Sequence, residues 1–437
     1  MKNTFTGLLL ISALFCAQAR AVSNLDIPRS VDLALKNNLY IKLAAASSDA
    51  QKAEALAAAS RLLPQVEFSV AQERTFSENL AAIGFGGFLA GASPVIGPYN
   101  TFDARVRLVM NFLDLSSRGT AKSKKEEEKI ASLRLELVKE QVTAAAALAY
   151  LDVLRSSAAV NSASAGRDLA SSLRVLAENK HTAGTATGLD VVRAKTSEAE
   201  ESLRVIRART ALEEARLRLK HILGLPLSEE VTLTEELSFS PDQPLTPDEA
   251  VNGALGARVE MAIAKAGVSA GKYALQAAKG ARIPTVGVSG SSALSSAVPD
   301  HTMKLVGDMG VSASLPLFSG GRIDAGIDGA TALKSQAESR LDDAAVQVEE
   351  EVRGTLYQLK ASAEEVETAS MTVTLAEQEL EMSRNRFSAG VADNVELVNA
   401  QTVLSRARDN RVDALSRHKE ANIRLTLALG RMKSLKF

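Results

Sequence analysis

Two periodicities alternate along the chain. Gln65-Val66-Glu67-Phe68-Ser69-Val70 switches polar and apolar residues one by one, and Phe102-Asp103-Ala104-Arg105-Val106-Arg107-Leu108 does the same, with Met110 and Phe112 continuing its apolar side. The pattern returns in the second half. There Val286 and Val288 continue one face, while Met303, Leu305, Met309, Val311, Ala313 and Leu315 alternate with Lys304, Asp308, Ser312 and Ser314. A period of two predicts strands, four in all, each about 10 residues long with one apolar and one polar face. Uncharged, glycine-rich connections from Ala81 to Gly97 and from Ser289 to Pro299 predict long hairpin loops.

The remainder predicts helix. From about Ser117 to Asn179, and from about Arg322 to Ser388, no proline interrupts sequence rich in alanine, leucine, glutamate and lysine. Roughly 65 residues at about 1.5 Å each make a rod on the order of 100 Å long, which no globular core contains. Such a helix persists in water only with a stripe buried against neighbours. Return helices are expected from about Leu189 to Leu223 and from Val395 to Leu429. Leu225 to Pro247, with Pro226, Pro241, Pro244 and Pro247, is a non-helical link.

The chain repeats itself. Asn179, Ala183, Gly184, Ala186, Val192, Ala194 and Thr196 recur as Asn385, Ala389, Gly390, Ala392, Val398, Ala400 and Thr402, all 206 positions on, as do Arg218, Leu219, Leu223 and Gly224. Further upstream Ala34, Leu35, Ala50, Lys52, Pro64, Val66 and Ser69 recur 220 positions on. A tandem duplication explains both registers, the second copy being 14 residues shorter between them. Each half reads as a helix ending near a proline, a hairpin (about 65–113 and 284–318), and a long helical pair with a tip (about 183–188 and 389–394). The organisation is a signal peptide (1–21), a first repeat (22–224), a link (225–247) and a second repeat (248–437).

Composition narrows the chemistry. The 437 residues carry a net charge of −1, which gives no argument for nucleic acid. Aromatics are 4% and tryptophan is absent in a chain that is 46% hydrophobic, as in long-helix proteins. The one cysteine, Cys16, lies in MKNTFTGLLLISALFCAQARA, where a basic start, an apolar run and Ala19-Arg20-Ala21 form a secretory signal. Phe15 before it is wrong for a lipoprotein signal. The mature chain then has no thiol, and its longest uncharged apolar run falls short of the ~20 residues of a spanning helix. Gly267 to Lys272 misses the phosphate-loop spacing and is followed by Tyr273 instead of Ser or Thr, and His181, His221, His301 and His418 show no metal spacing. With no catalytic set, cofactor or metal ligand cluster in view, the expectation is a protein that is not an enzyme.

Four amphipathic strands suit an outer membrane barrel, lipid outside and water inside, but four cannot close one. Open edges in lipid would leave amides unpaired at several kcal/mol each, so closure needs further chains, and three would give twelve strands. The rival expectation is an exported coiled-coil scaffold without a pore.

The duplicated plan, the passages Asn111-Phe112-Leu113-Asp114-Leu115-Ser116 and Leu315-Pro316-Leu317-Phe318-Ser319-Gly320-Gly321-Arg322, and the Ala-Gly tips resemble the TolC-like outer membrane efflux proteins across the mature chain. The resemblance implies a mainly α fold with a small β part: long coiled-coil hairpins and four strands per chain, a trimer forming a 12-stranded barrel continued by a periplasmic helical tunnel. It further implies an exit duct for an efflux pump or type I secretion system, set in outer membrane lipid and working with a periplasmic adaptor and an inner-membrane pump. The tips would ring the periplasmic aperture. Asp190 and Glu396 would line it, with Arg193 and Asn399 one turn on, while Ala183, Gly184, Thr185 and Ala389, Gly390, Val391 would dock the adaptor. Some relatives have an acid where this chain has Asn399, and a tyrosine and an arginine that hold the entrance shut where it has Phe387 and Ala392. Read from the residues alone, Thr187 with Asp190 and Asp393 with Glu396 are helix caps of the capping-box kind, and Arg193 could pair with either acid. Both readings of Asp190 and Glu396 stand.

Overall fold

The computed structural model describes residues 25–79, 95–240 and 245–432. The signal peptide, residues 80–94 of the first hairpin connection, residues 241–244 of the link, and residues 433–437 lie outside the described residues. The elements are α1 (Ile27–Asn37), α2 (Leu39–Ser60), β1 (Gln65–Thr75), β2 (Glu78–Asn79), β3 (Val95–Ile96), β4 (Tyr99–Leu113), α3 (Leu115–Thr182), α4 (Gly188–Leu223), α5 (Pro247–Ala257), α6 (Val259–Gly280), β5 (Thr285–Ser296), β6 (Lys304–Ser314), α7 (Arg322–Ser388) and α8 (Asn394–Ala428). The bounds of α1 and α2 recur in α5 and α6 at a constant offset of 220 residues.

The helix expected before each hairpin is two helices. Asn38 (ψ 133°) and Arg258 (ψ 134°) are extended where α1 meets α2 and α5 meets α6. Each has a partner that holds the break: the Asn38 side-chain amide donates to the Ile222 carbonyl at 2.9 Å, and Arg258 pairs with Glu351. Neither break has a proline or glycine to announce it.

Two compact units divide the chain, and each draws on both halves. One unit (45–134 and 260–344) holds an antiparallel sheet in the order β1-β4-β5-β6. Its register sorts side chains by face. Val66, Phe68 and Val70 stand opposite Leu108, Val106 and Ala104, and β6 continues that face with Leu305, Met309 and Val311. Phe68, Met309 and Val311 are 68%, 87% and 73% exposed, so in the single chain this apolar face is bare. On the other face Arg105 holds Asp103 at 3.0 Å and donates to the Ser291 hydroxyl at 2.8 Å, which in turn donates to Asp308. Ser289 to Ser296, expected in a loop, belong to β5. That segment is uncharged and small, so it shows no alternation, yet β4 pairs it on one side and β6 on the other. Backbone pairing on both edges replaces the side-chain signal. At the far end of the first hairpin, β2 and β3 make a short ribbon of their own.

The other unit (25–44, 135–259 and 345–432 among the described residues) is helical. On α7, Val366, Val373, Leu380 and Phe387 recur every seven residues, and on α8 Leu397, Ala400, Leu404, Ala407, Ala414, His418, Ala421, Leu425 and Ala428 keep a three-four spacing; all but the half-buried Leu380 are buried. This is a heptad seam, large beside small, of the kind that holds two helices antiparallel over many turns. On α4, Leu212, Ala215, Leu219 and Leu223 pack against Val142, Ala146, Tyr150 and Val153 of α3. Tyr150 is fully buried, donates to the Leu25 carbonyl at 3.1 Å, and has its hydroxyl pKa pushed up to about 12, chiefly by burial. Leu25 itself pairs with Leu233 of the link. Among the described residues no helix is long and apolar enough to cross a membrane.

Candidate functional site: the two hairpin tips

Each long helical pair turns on the same backbone device. After α3 and after α7 a glycine takes the left-handed region, Gly184 and Gly390 both at φ +75°. The Gly184 N–H donates to the His181 carbonyl and Thr185 N–H to the Lys180 carbonyl, both at 2.9 Å; Gly390 and Val391 repeat this with Phe387 (3.1 Å) and Arg386 (3.0 Å). The turn satisfies carbonyls that the helix end leaves open. Nothing lies within 4 Å of where a Cβ on either glycine would sit, so φ alone requires glycine here. Ala183, Gly184, Thr185, Ala389, Gly390 and Val391 are all exposed.

The side chains that follow differ. In the first tip the capping box is complete: Asp190 N–H donates to the Thr187 hydroxyl oxygen at 3.3 Å, and the Asp190 carboxylate accepts from Thr187 N–H at 2.9 Å and from the Thr187 hydroxyl at 2.7 Å. The Thr187 hydroxyl bond above all holds the Asp190 carboxyl below the usual range, with Arg193 adding a nearby positive charge. In the second tip Asp393 caps the helix, accepting from Val395 and Glu396 N–H, each at 3.1 Å. Glu396 does not complete a box. Its carboxylate turns instead to the Arg386 guanidinium across the turn at 3.0 Å and accepts from the Ser383 hydroxyl at 3.5 Å. Arg193, expected to pair with Asp190 or Glu396, forms no ion pair with either among the described residues, and both it and Asn399 are exposed side chains.

The structure also joins the tips to each other. The Asn394 side-chain amide, 1% exposed, donates to the Asp190 carbonyl at 2.8 Å. Lys180 reaches the Ser388 carbonyl at 3.0 Å with its ammonium 5.1 Å from the centre of the Phe387 ring. Below these, Leu173, Phe387 and Leu397 form a shared apolar cluster. Phe387 is therefore a packing residue.

Sequence reasoning missed Lys180, Arg386 and Asn394. The repeat offset was a usable signal, since Lys180 and Arg386 stand 206 apart and are both cations preceding a tip glycine by four. Among the described residues no group of three or more acidic, histidine or cysteine side chains could hold a metal ion, and the tips offer charge, shape and small exposed side chains.

A family model for outer membrane efflux proteins matches residues 30–225 and 250–431. Among curated proteins, the alkaline protease secretion protein AprF of Pseudomonas aeruginosa is 23% identical over 382 residues, covering 85% of this chain and 77% of its own. The outer membrane efflux protein BepC of Brucella suis is 25% identical over 254 residues, covering 57% of this chain and 54% of its own. Among solved structures, the outer membrane protein VceC of Vibrio cholerae superposes with a TM-score of 0.80 at 20% identity, over 92% of this chain and 96% of its own, so the fold is shared. With the match spanning both halves of the duplication, the chain belongs to the outer membrane efflux protein family.

Proposed function

We propose that three copies of this chain close a 12-stranded barrel in the outer membrane and continue it as a periplasmic helical tunnel, an exit duct driven by partners. One observation carries the reading: an antiparallel four-stranded sheet with an exposed apolar face, a polar face and two unpaired edges, β1 and β6. In lipid such edges must be paired, and only further copies offer matching strands. The two tips then meet around a threefold axis. Asp190 and Glu396 contribute carboxylates to the aperture, with Arg193 and Asn399 beside them. Ala183, Gly184 and Thr185, with Ala389, Gly390 and Val391, give close backbone approach to a periplasmic adaptor that couples the duct to an inner-membrane pump. AprF is named for protease secretion and BepC for efflux, and both suit a conduit whose cargo is chosen elsewhere.

The test is the native mass of protein extracted in detergent from isolated outer membranes. A trimer is expected. A monomer, or recovery from the soluble periplasm, would replace the duct with an exported scaffold.

A further inference from the structure

We propose that Asn394, Gln401 and Ser405 fasten the two helical pairs of one copy into a single body, so that the aperture widens between copies and not by parting α3 and α4 from α7 and α8. This rests on the duct reading above and states where in the duct the movement occurs.

The fastening is a ladder within the helical unit. Three polar contacts join α4 to α8 at one constant offset of 204 residues, so the two helices lie side by side and run the same way. The Asn394 amide donates to the Asp190 carbonyl at 2.8 Å, the Ser197 hydroxyl to the Gln401 side-chain oxygen at 3.2 Å, and the Ser405 hydroxyl to the Glu201 carboxylate at 3.1 Å. On α8 all three residues are at most 5% exposed, and their own copy alone covers them. Buried polar groups of this kind have partners at one register only. A shift of α8 by a single turn would strand all three.

Helix α3 holds α8 along the rest of its length. Leu173 packs with Leu397 and Phe387 near the tips, the Ser162 hydroxyl donates to Asp409 at 3.1 Å, Arg155 pairs with Asp413 at 3.5 Å, and Leu151 packs with Ile423. The first helical pair thus grips α8 from Asn394 to Ile423, about 45 Å at ~1.5 Å per residue. Parting the pairs at the tips alone would need a bend. Neither α8 nor α4 beyond Gly188 contains a proline or glycine to supply one.

What a neighbouring copy meets at the same distance from the tips is different in kind. Val192 and Ile206 on α4, and Met371, Leu375 and Met382 on α7, are each between 58% and 62% exposed in the single copy. Contacts through such side chains have no fixed direction, and methionine re-packs readily, so these surfaces can slide where the ladder cannot. The directional bonds lie inside the copy and the adaptable side chains outside it.

The experiment ties the tips of each copy together. In full-length protein with Cys16→Ser as background, Lys180→Cys and Ser388→Cys place thiols where the Lys180 ammonium reaches the Ser388 carbonyl at 3.0 Å. A short bis(methanethiosulfonate) linker takes the place of the lysine side chain and is removed by a reducing agent. Linking within a copy is read as loss of free thiols without dimer bands on non-reducing gels. Open-channel conductance of the reconstituted protein in planar bilayers is expected to be the same before linking, after linking and after reduction. A fall on linking that reduction restores overturns the proposal, because the tips of one copy must then part. The same protein carrying Asn394→Ala, Gln401→Ala and Ser405→Ala is expected to reach a larger open-channel conductance, which linking returns to the original value. Should that variant not assemble, Ser405→Ala alone is expected to shift conductance in the same direction by less. No increase on loosening the ladder overturns the assignment to these three residues. A protein that never conducts, linked or not, removes the duct reading, and this inference with it.

Discussion

The two hairpin tips have one backbone and two wirings. Both turn on a glycine at φ +75° with the same two turn hydrogen bonds, yet Asp190 is locked to Thr187 while Glu396 has swung to Arg386. Duplication preserved what the chain needs to reverse direction and released the acid from it. An acid with three hydrogen bonds to its cap residue is a structural group first; an acid held by an exposed pair (Arg386 56% and Glu396 40% exposed) and one long bond from the Ser383 hydroxyl at 3.5 Å holds its place at little cost and can change partner. The second tip is thus the adjustable one, and the first is its anchor, through the Asn394 bond to the Asp190 carbonyl.

That contrast can be broken in order of size. Leu397 is fully buried whereas Val191, 206 positions earlier, is only half-buried. Leu397→Ala is expected to destabilise the tips by about 2–5 kcal/mol and Val191→Ala by clearly less, read as hydrogen exchange of tip amides. Equal effects would mean that the two tips share their core evenly. Asn394→Ala leaves the Asp190 carbonyl without its donor, an expected loss of about 1–3 kcal/mol that should speed exchange in the first tip although the change is made in the second. Exchange altered only around residue 394 would show that the tips are not coupled. Gly184→Ala and Gly390→Ala should cost about 1–2 kcal/mol each and equally, since only φ is at stake in both.

The smallest effects separate the acids. Asp190→Asn is expected to cost about 1 kcal/mol at neutral pH, as loss of a cap does, and Glu396→Gln roughly 0–1 kcal/mol. The pH dependence has a definite sign. The folded Asp190 pKa lies below the ordinary aspartate value of 3.8, so its contribution is present above that value and fades as the pH falls through the lower folded pKa. Wild type and Asp190→Asn should therefore converge in acid below about pH 3.8. If Glu396 lines the aperture as proposed, Glu396→Ala should change the cation selectivity of a reconstituted channel, and an unchanged reversal potential would refute that role.

The tips were legible where chemistry and backbone coincide. Gly184, Gly390, Thr187 and Asp393 sit where helix-ending and helix-starting residues belong, and the structure uses all four as such. The long helices were legible for want of any breaker, and three of four strands for their strict alternation. What was hidden depends on contacts between distant segments. The upper part of β5, Ser289 to Ser296, has no pattern of its own and is a strand because β4 and β6 flank it. The breaks at Asn38 and Arg258 are fixed by Ile222 and Glu351, far away in sequence. Arg386 was invisible as the partner of Glu396 because a cation ten residues before an acid, across a turn, has no periodic signature.

The sheet order sets a timetable for biosynthesis. β4 must pair with β5, and the closest residues of that pairing, Leu113 and Val286, are separated by all of α3 to α6. When the ribosome has completed β4, only the first hairpin can form, and one flank of it stays open while about 170 further residues are made at roughly 5–20 per second, a wait of roughly ten seconds or more. Long-range strand pairing is slow in its own right. Until β5 is made, the flank of β4 that carries Val106 and Leu108 has no strand of its own chain to pair with.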